Sequence, residues 1–281
     1  MREFKSFFKS VAGNEGGRCH YNTRLDTYGC GRQHNCAYCY ARSLLDFRGL
    51  WNPEDPAVAD IAKVRKVIER KLKPGDVVRL GGMTDCFGPV ERIHRVTRQT
   101  IEALNEQGVH YLIVTKSGLV AEYMDVMERE LAHIQISVTS TDDQVSRAIE
   151  PGAPLPGKRI KAIETLYRAG FDIQLRLSPF VPKFVNLGKI NSVDCDRVLV
   201  EFLRVNSFIA GWLGIDTKPY TRQHAGYNHL RLYTKREMVD RIKKEVSVCE
   251  DVPDHFEWWR DNVNANPDDC CNLKFIGRQV K

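Results

Sequence analysis

At 281 residues with ordinary apolar and charged fractions, the chain can bury one sizeable core, and a single domain over residues 1–281 is the expectation. No apolar run approaches the roughly 20 residues that span a bilayer, and the start MREFKSFFKS lacks the apolar core and cleavage site of a signal peptide; a cytoplasmic protein with no membrane partner is expected. The formal charge of +6 suits a polyanion, but Lys and Arg are scattered among acids, so charge alone selects no function.

From residue 57, Val58, Ile61, Val64, Ile68 and Leu72 recur at helical spacing until Pro74-Gly75, and the β-branched run Val77 to Leu80 reads as a strand. The alternation continues with a helix near 92–107, a strand HYLIVT at 110–115, a helix near 119–130 and a strand HIQISV at 133–138. A helix from about Gly157 to Arg168, with Gly170 as its C-cap, precedes the strand FDIQLRL at 171–177. A helix near 193–204 and a buried strand SFIAGWLG at 207–214 complete the series.

With a short strand before Cys30, this makes about six βα units, which predicts an α/β fold: a partial (β/α)6 TIM-type barrel of parallel strands over about 25–214. A doubly wound open sheet is the alternative. Residues 215–281 read as a C-terminal extension, with Thr234-Lys-Arg-Glu237 as a capping box and an aromatic cluster around Trp258 and Trp259.

Nine cysteines form no even framework, and three crowd into Cys30-Gly-Arg-Gln-His34-Asn-Cys36-Ala-Tyr38-Cys39-Tyr40, which points to metal in a reducing compartment. Three thiolates on a loop after the first strand suit a [4Fe–4S] cluster with one iron left open to a small chelator. A closed zinc site of Cys30, His34, Cys36 and Cys39, in a nucleic-acid-binding protein without catalysis, is the alternative.

The string from Gly29 to Tyr40 resembles the signature of the spore photoproduct lyase-like branch of the radical S-adenosylmethionine (SAM) superfamily, with C-x5-C-x2-C here in place of the branch's usual C-x3-C-x2-C. Further segments resemble the family in the same order: Gly81-Gly82-Met83-Thr84-Asp85-Cys86-Phe87, Thr115-Lys116-Ser117, Ser137-Val138-Thr139, Glu150-Pro151 with Arg159, and Gln174-Leu175-Arg176-Leu177-Ser178-Pro179. The resemblance implies metal ligands Cys30, Cys36 and Cys39. It also implies SAM contacts from Tyr38, Gly81, Gly82, Thr84, Asp85, Lys116, Ser117, Ser137, Thr139, Arg159 and Arg176.

The residues also have blander readings: a strand-to-helix turn at Gly81 and Gly82, a solvated Lys116, turn residues at Ser137 and Thr139, a surface helix position for Arg159. Arg176 needs an anionic partner if it faces the barrel interior.

The resemblance further implies that a reduced cluster, fed by a flavodoxin or ferredoxin, cleaves SAM to a 5′-deoxyadenosyl radical that abstracts a substrate hydrogen. Tyr40 and Cys86 are the catalytic candidates it suggests, Cys86 as a hydrogen donor displaced about three residues from the branch's usual position. A thymine-type base in DNA is the expected substrate, with Trp258, Trp259, Tyr220 and Tyr227 available to stack on a flipped base. A hypermodified thymidine amino acid adduct, a peptide or a small molecule are the alternatives.

Overall fold

The computed structural model describes residues 5–9, 19, 21–29, 34–39, 41–42, 49, 56–267 and 269–273; Cys30 and Tyr40 lie outside them. In chain order the strands are β1 (Phe7–Lys9), β2 (Thr23–Leu25), β3 (Tyr28–Gly29), β4 (Ala57–Val58), β5 (Val77–Leu80) and β6 (His110–Thr115). There follow β7 (Ala132–Ser137), β8 (Asp172–Phe180), β9 (Arg197–Phe202), β10 (Arg222–His224), β11 (Tyr227–His229) and β12 (Glu245–Val248). Eight of them form one sheet in the order β1-β2-β5-β6-β7-β8-β9-β12. Within that sheet β1 pairs antiparallel with β2 and the other pairings are parallel, while β3–β4 and β10–β11 form two separate antiparallel pairs. This is the α/β partial-barrel class that the alternation predicts.

The helical stripe after residue 57 becomes the helix Ile61–Lys71, capped by the Asp60 carboxylate, with Val64 and Ile68 buried. The helix expected over 92–107 is split into Glu91–His94 and Val96–Glu106 by Arg95, whose φ is +52°. The cause is local: the buried Glu91 carboxylate accepts the Thr97 and Arg98 N–H groups and so caps the second piece. The helix expected over 119–130 is a 3₁₀ segment, Gly118–Tyr123.

The sixth barrel strand departs from expectation. Residues 193–204 contain β9, almost wholly buried, and not a helix. The run 207–214 is the helix Ser207–Leu213, because Asn206 caps it through the Ile209 N–H and Gly214 ends it at φ +55°. Ile209 and Leu213 turn inward, while Phe208 and Trp212 stay 64% and 41% exposed.

The tail contributes β12 as a seventh parallel strand, paired with β9. Thr234 lies inside the helix Leu232–Val239 and caps nothing; the N-cap position is Arg231. In the helix Pro253–Asn262, Trp259 is fully buried with Trp258 edge-on to it, and Tyr220 is buried too, so of the four aromatics expected to stack on a base only Tyr227 lines the cavity described below.

Candidate active site

The site begins where β5 ends. Gly81 has φ +89°, and a Cβ there would lie 2.7 Å from the Val114 carbonyl oxygen; one at Gly82 would lie 2.7 Å from the Phe8 ring. Only glycine lets the chain turn that closely against its neighbours. The loop is cradled from below by Asp26, whose carboxylate accepts the backbone N–H groups of Gly82, Met83 and Thr84. Burial pushes the Asp26 carboxyl up to about 6, against the lowering effect of those three donors.

Asp85 ties this loop to its surroundings. Its carboxylate accepts the Thr115 hydroxyl at 2.8 Å, the Lys116 N–H at 2.8 Å and the Phe87 N–H at 2.9 Å, and it faces His34 Nε2 at 2.8 Å. Burial alone would raise this carboxyl, but His34 and the backbone donors hold it down, at about 2. His34 Nδ1 lies 3.4 Å from the Gly152 carbonyl. With both its nitrogens so placed, His34 positions the cysteine loop, and the closed Cys₃His zinc site loses its fourth ligand.

The cysteine loop is held to the end of the helix Asp143–Ile149 by the Ala37 N–H on the Ile149 carbonyl and the Gly152 N–H on the His34 carbonyl. Cys39 N–H turns back on the Cys36 carbonyl at 3.2 Å, and both thiols are free. The Tyr38 hydroxyl donates to Glu150, whose carboxylate also accepts Thr139 and meets Arg159 at 2.6 Å. Burial raises the Glu150 carboxyl although Arg159 opposes it.

These elements border a cavity of about 300 Å³, at the lower end of ligand-site volumes. Cys36, Cys39, Tyr38, Gly81, Gly82 and Thr84 line it, as do Asp85, Lys116, Ser137 and Arg176. Arg176 does face the interior, and it has its anion: its guanidinium pairs with Glu201 and donates to Gln135.

Four candidates sit behind this wall. Ser117 caps the 3₁₀ segment through the Leu119 N–H. Thr139 and Arg159 belong to the Glu150 cluster, and Arg159 also donates to the Ser137 carbonyl at 3.1 Å. Cys86 is buried with its thiol 3.7 Å from the Leu25 carbonyl, and burial raises its pKa. Sequence reasoning missed Asp26, Glu201 and Arg204; a lone acid or arginine in or just after a strand carries no motif, and the residues' meaning lies in partners far along the chain.

The described residues fit a cubane and SAM. Burial pushes the Cys36 thiol up to about 12 despite Lys116, so a thiolate there needs a metal cation to stabilise it. The Lys116 ammonium lies over the Tyr38 ring at 5.6 Å, and among the described residues no carboxylate forms an ion pair with it; it is available to a ligand carboxylate.

Residues 26–183 match the family model described as Radical SAM superfamily. An uncharacterized protein of Methanocaldococcus jannaschii is 26% identical over 163 residues, which are 56% of this chain and 60% of that protein. The Radical SAM Nalpha-GlyT isomerase of Pseudomonas phage M6 is 25% identical over 177 residues, 60% of this chain and 36% of the isomerase. The chain thus spans 60% or less of these two relatives. Among solved structures, spore photoproduct lyase complexed with dinucleoside spore photoproduct aligns with a TM-score of 0.61 over 92% of this chain and 78% of that one, at 15% identity, which establishes likeness of fold.

Proposed function

The chain belongs to the Radical SAM superfamily, whose enzymes use a [4Fe–4S] cluster and SAM, and we propose that this one abstracts a hydrogen atom from a thymine-type base in DNA. When bound, the reduced cluster supplies an electron that cleaves SAM to a 5′-deoxyadenosyl radical. Cys36 and Cys39, with Cys30, would hold the cluster. Lys116, which lines the cavity, would answer the SAM carboxylate, and the Gly81-Gly82 backbone, with no side chain in the way, would let the methionine end approach closely. Asp26, Asp85, His34 and Glu150 act through these groups and fix their positions.

The observation that carries the substrate reading is the rim of the cavity. The helix Ser207–Leu213 places Ile209 in the cavity wall and leaves Phe208 and Trp212 exposed, their ring centroids 6.1 Å apart. Arg42, itself a lining residue, lies over the Trp212 ring at 5.6 Å. Exposed aromatics beside an arginine are what bases flanking an extruded nucleotide stack on. A second reading, an amino acid adduct of thymidine, is favoured by the paired charges Glu201, Arg204 and Asp251 on the cavity wall, which can answer both an ammonium and a carboxylate.

The test is label transfer. Oligonucleotides with perdeuterated thymine, incubated with reconstituted reduced enzyme and SAM, are expected to yield deuterated 5′-deoxyadenosine. Formation of unlabelled 5′-deoxyadenosine from every thymine-containing oligonucleotide would refute the base assignment while leaving the family assignment intact.

A further inference from the structure

Strand alternation sends one face of each strand into the barrel, and on β2 and β5 that face carries arginine. Arg24 and Arg79 are register partners on these parallel neighbours, which sets their backbones about 5 Å apart, and both side chains line the cavity. Each is the penultimate residue of its strand, so the pair stands deeper in the barrel than the Gly81-Gly82 turn. The Arg24 stem packs against that turn: a Cβ at Gly82 would lie 3.0 Å from Arg24 Cδ. Arg79 Nε donates to the Gly81 carbonyl at 3.2 Å.

Like charges directly beside each other on neighbouring strands are destabilising, and a buried guanidinium without an anion is costly. Arg24 is 7% exposed with its Nε unbonded, and among the described residues no carboxylate forms an ion pair with it or with Arg79. Asp26, just after β2, gives its carboxylate to the Gly82, Met83 and Thr84 N–H groups. Glu201 on β9 pairs with Arg176 and accepts the Ser178 hydroxyl. Towards the N-terminal ends of the strands the lining turns apolar, with Val77 packed against Tyr21, Leu112 and Leu273, and the Asp269 carboxylate there accepts the Tyr21 hydroxyl.

The missing anion is one that a ligand brings. Lys116, after β6, is the residue assigned above to the SAM carboxylate, which leaves the arginine pair to the substrate. With the flanking bases on the exposed Phe208 and Trp212, the sugar–phosphate chain stays at the mouth of the cavity and an extruded base points inward. A phosphodiester, continued on both sides by sugar, cannot end in the interior. A carboxylate on the inner edge of the base can, and two guanidinium forks offer it paired N–H donors. Solvation accounts for the half-buried Arg79 alone but not for Arg24 beside it.

Building on the base-directed reading above, we propose that Arg24 and Arg79 form an oxyanion subsite inside the barrel that takes a carboxylate carried on the inner edge of the substrate base. The pair favours a pyrimidine with an acidic substituent over thymine itself and holds that base beside the Gly81-Gly82 turn.

The test is equilibrium binding to anaerobically reconstituted, unreduced enzyme with SAM, using two short oligonucleotides that differ only at the central position, thymidine in one and 5-carboxy-2′-deoxyuridine in the other. Wild type is expected to hold the carboxylated strand about tenfold more tightly, and Arg24→Met and Arg79→Met each to bring the two strands within about twofold while SAM affinity stays unchanged. Equal wild-type affinities overturn the proposal. So does an equal loss for both strands in the variants, which would assign the arginines to the backbone, and so does a loss of SAM affinity with the carboxylate preference intact. Should the Met variants fold poorly, Arg24→Lys and Arg79→Lys keep the charge but not the fork: a preference cut roughly threefold or more is expected, and an unchanged one overturns the proposal. Failure of both strands to bind overturns this subsite and the base assignment together. Binding of both without preference overturns the subsite alone, and absent label transfer from thymine leaves a measured carboxylate preference standing.

Discussion

Replacing Asp85 by Asn tests how the site is positioned. Four groups converge on the Asp85 carboxylate, from Thr115, Lys116, Phe87 and His34. Asn keeps one acceptor oxygen and turns an NH₂ toward at least one of these donors. Leaving a buried donor unanswered costs about 1–3 kcal/mol, and the lost charge-assisted contact with His34 brings the total to about 2–4 kcal/mol. The pKa offers an independent magnitude: the gap between 3.8 and about 2, at roughly 1.4 kcal/mol per pH unit, is about 2 kcal/mol. Because the folded-state value is depressed, that stabilisation is fully present above pH 3.8 and is lost as pH falls through about 2. Thermal unfolding of the apo-protein at pH 7 is expected to show Asp85→Asn lower by roughly 5–15 °C. Chemical denaturation is expected to give the same deficit at pH 7 and pH 5. Melting points within 1 °C of each other at pH 7, or a deficit already gone at pH 5, would refute the assignment of Asp85 as the ionised tie between the two loops.

Further outcomes follow from the same geometry. Gly81→Ala combines a positive φ with a Cβ 2.7 Å from the Val114 carbonyl and is expected to weaken SAM binding at least tenfold, measured by equilibrium dialysis; Gly75→Ala, at φ +86° with nothing within 4 Å, carries the backbone strain alone and leaves SAM affinity unchanged. Removal of Phe208 and Trp212 as a pair is expected to raise KM for oligonucleotides between roughly tenfold and a hundredfold with kcat within about twofold and no loss of Tm, since stacking contributes about 1–3 kcal/mol per base. Trp259→Ala empties a fully buried indole site and is expected to cost about 3–5 kcal/mol of stability in denaturant titration.

What the sequence disclosed is what local pattern controls. The run HYLIVT forms β6 over the very residues 110–115 read as a strand, and the loops after β5 and β6 lie where Gly81-Gly82 and Thr115-Lys116-Ser117 place them. The misread stretch, 193–214, is one where burial and capping pull apart. RVLVEF is apolar enough for either element and becomes a strand through its pairing with β8 and β12, while SFIAGWLG reads as a strand until Asn206 and Gly214 are recognised as helix caps. β12 is four residues long beside Lys243 and Lys244, and its burial comes from β9, more than forty residues earlier in the chain. Site residues divide in the same way. Cys36, Cys39 and Lys116 belong to recognisable strings, but Asp26 and Glu201 have meaning only through the Gly82 loop and Arg176, which meet them from the neighbouring strands β5 and β8.

The account rests on SAM cleavage at the Cys36–Cys39 loop, and the most direct measurement is 5′-deoxyadenosine formed under strong reductant by anaerobically reconstituted wild type beside Cys36→Ala and Cys39→Ala. Wild type is expected to form it and both variants to form none. No 5′-deoxyadenosine from a wild type that carries its iron and sulfide, or undiminished formation by either variant, would contradict the account.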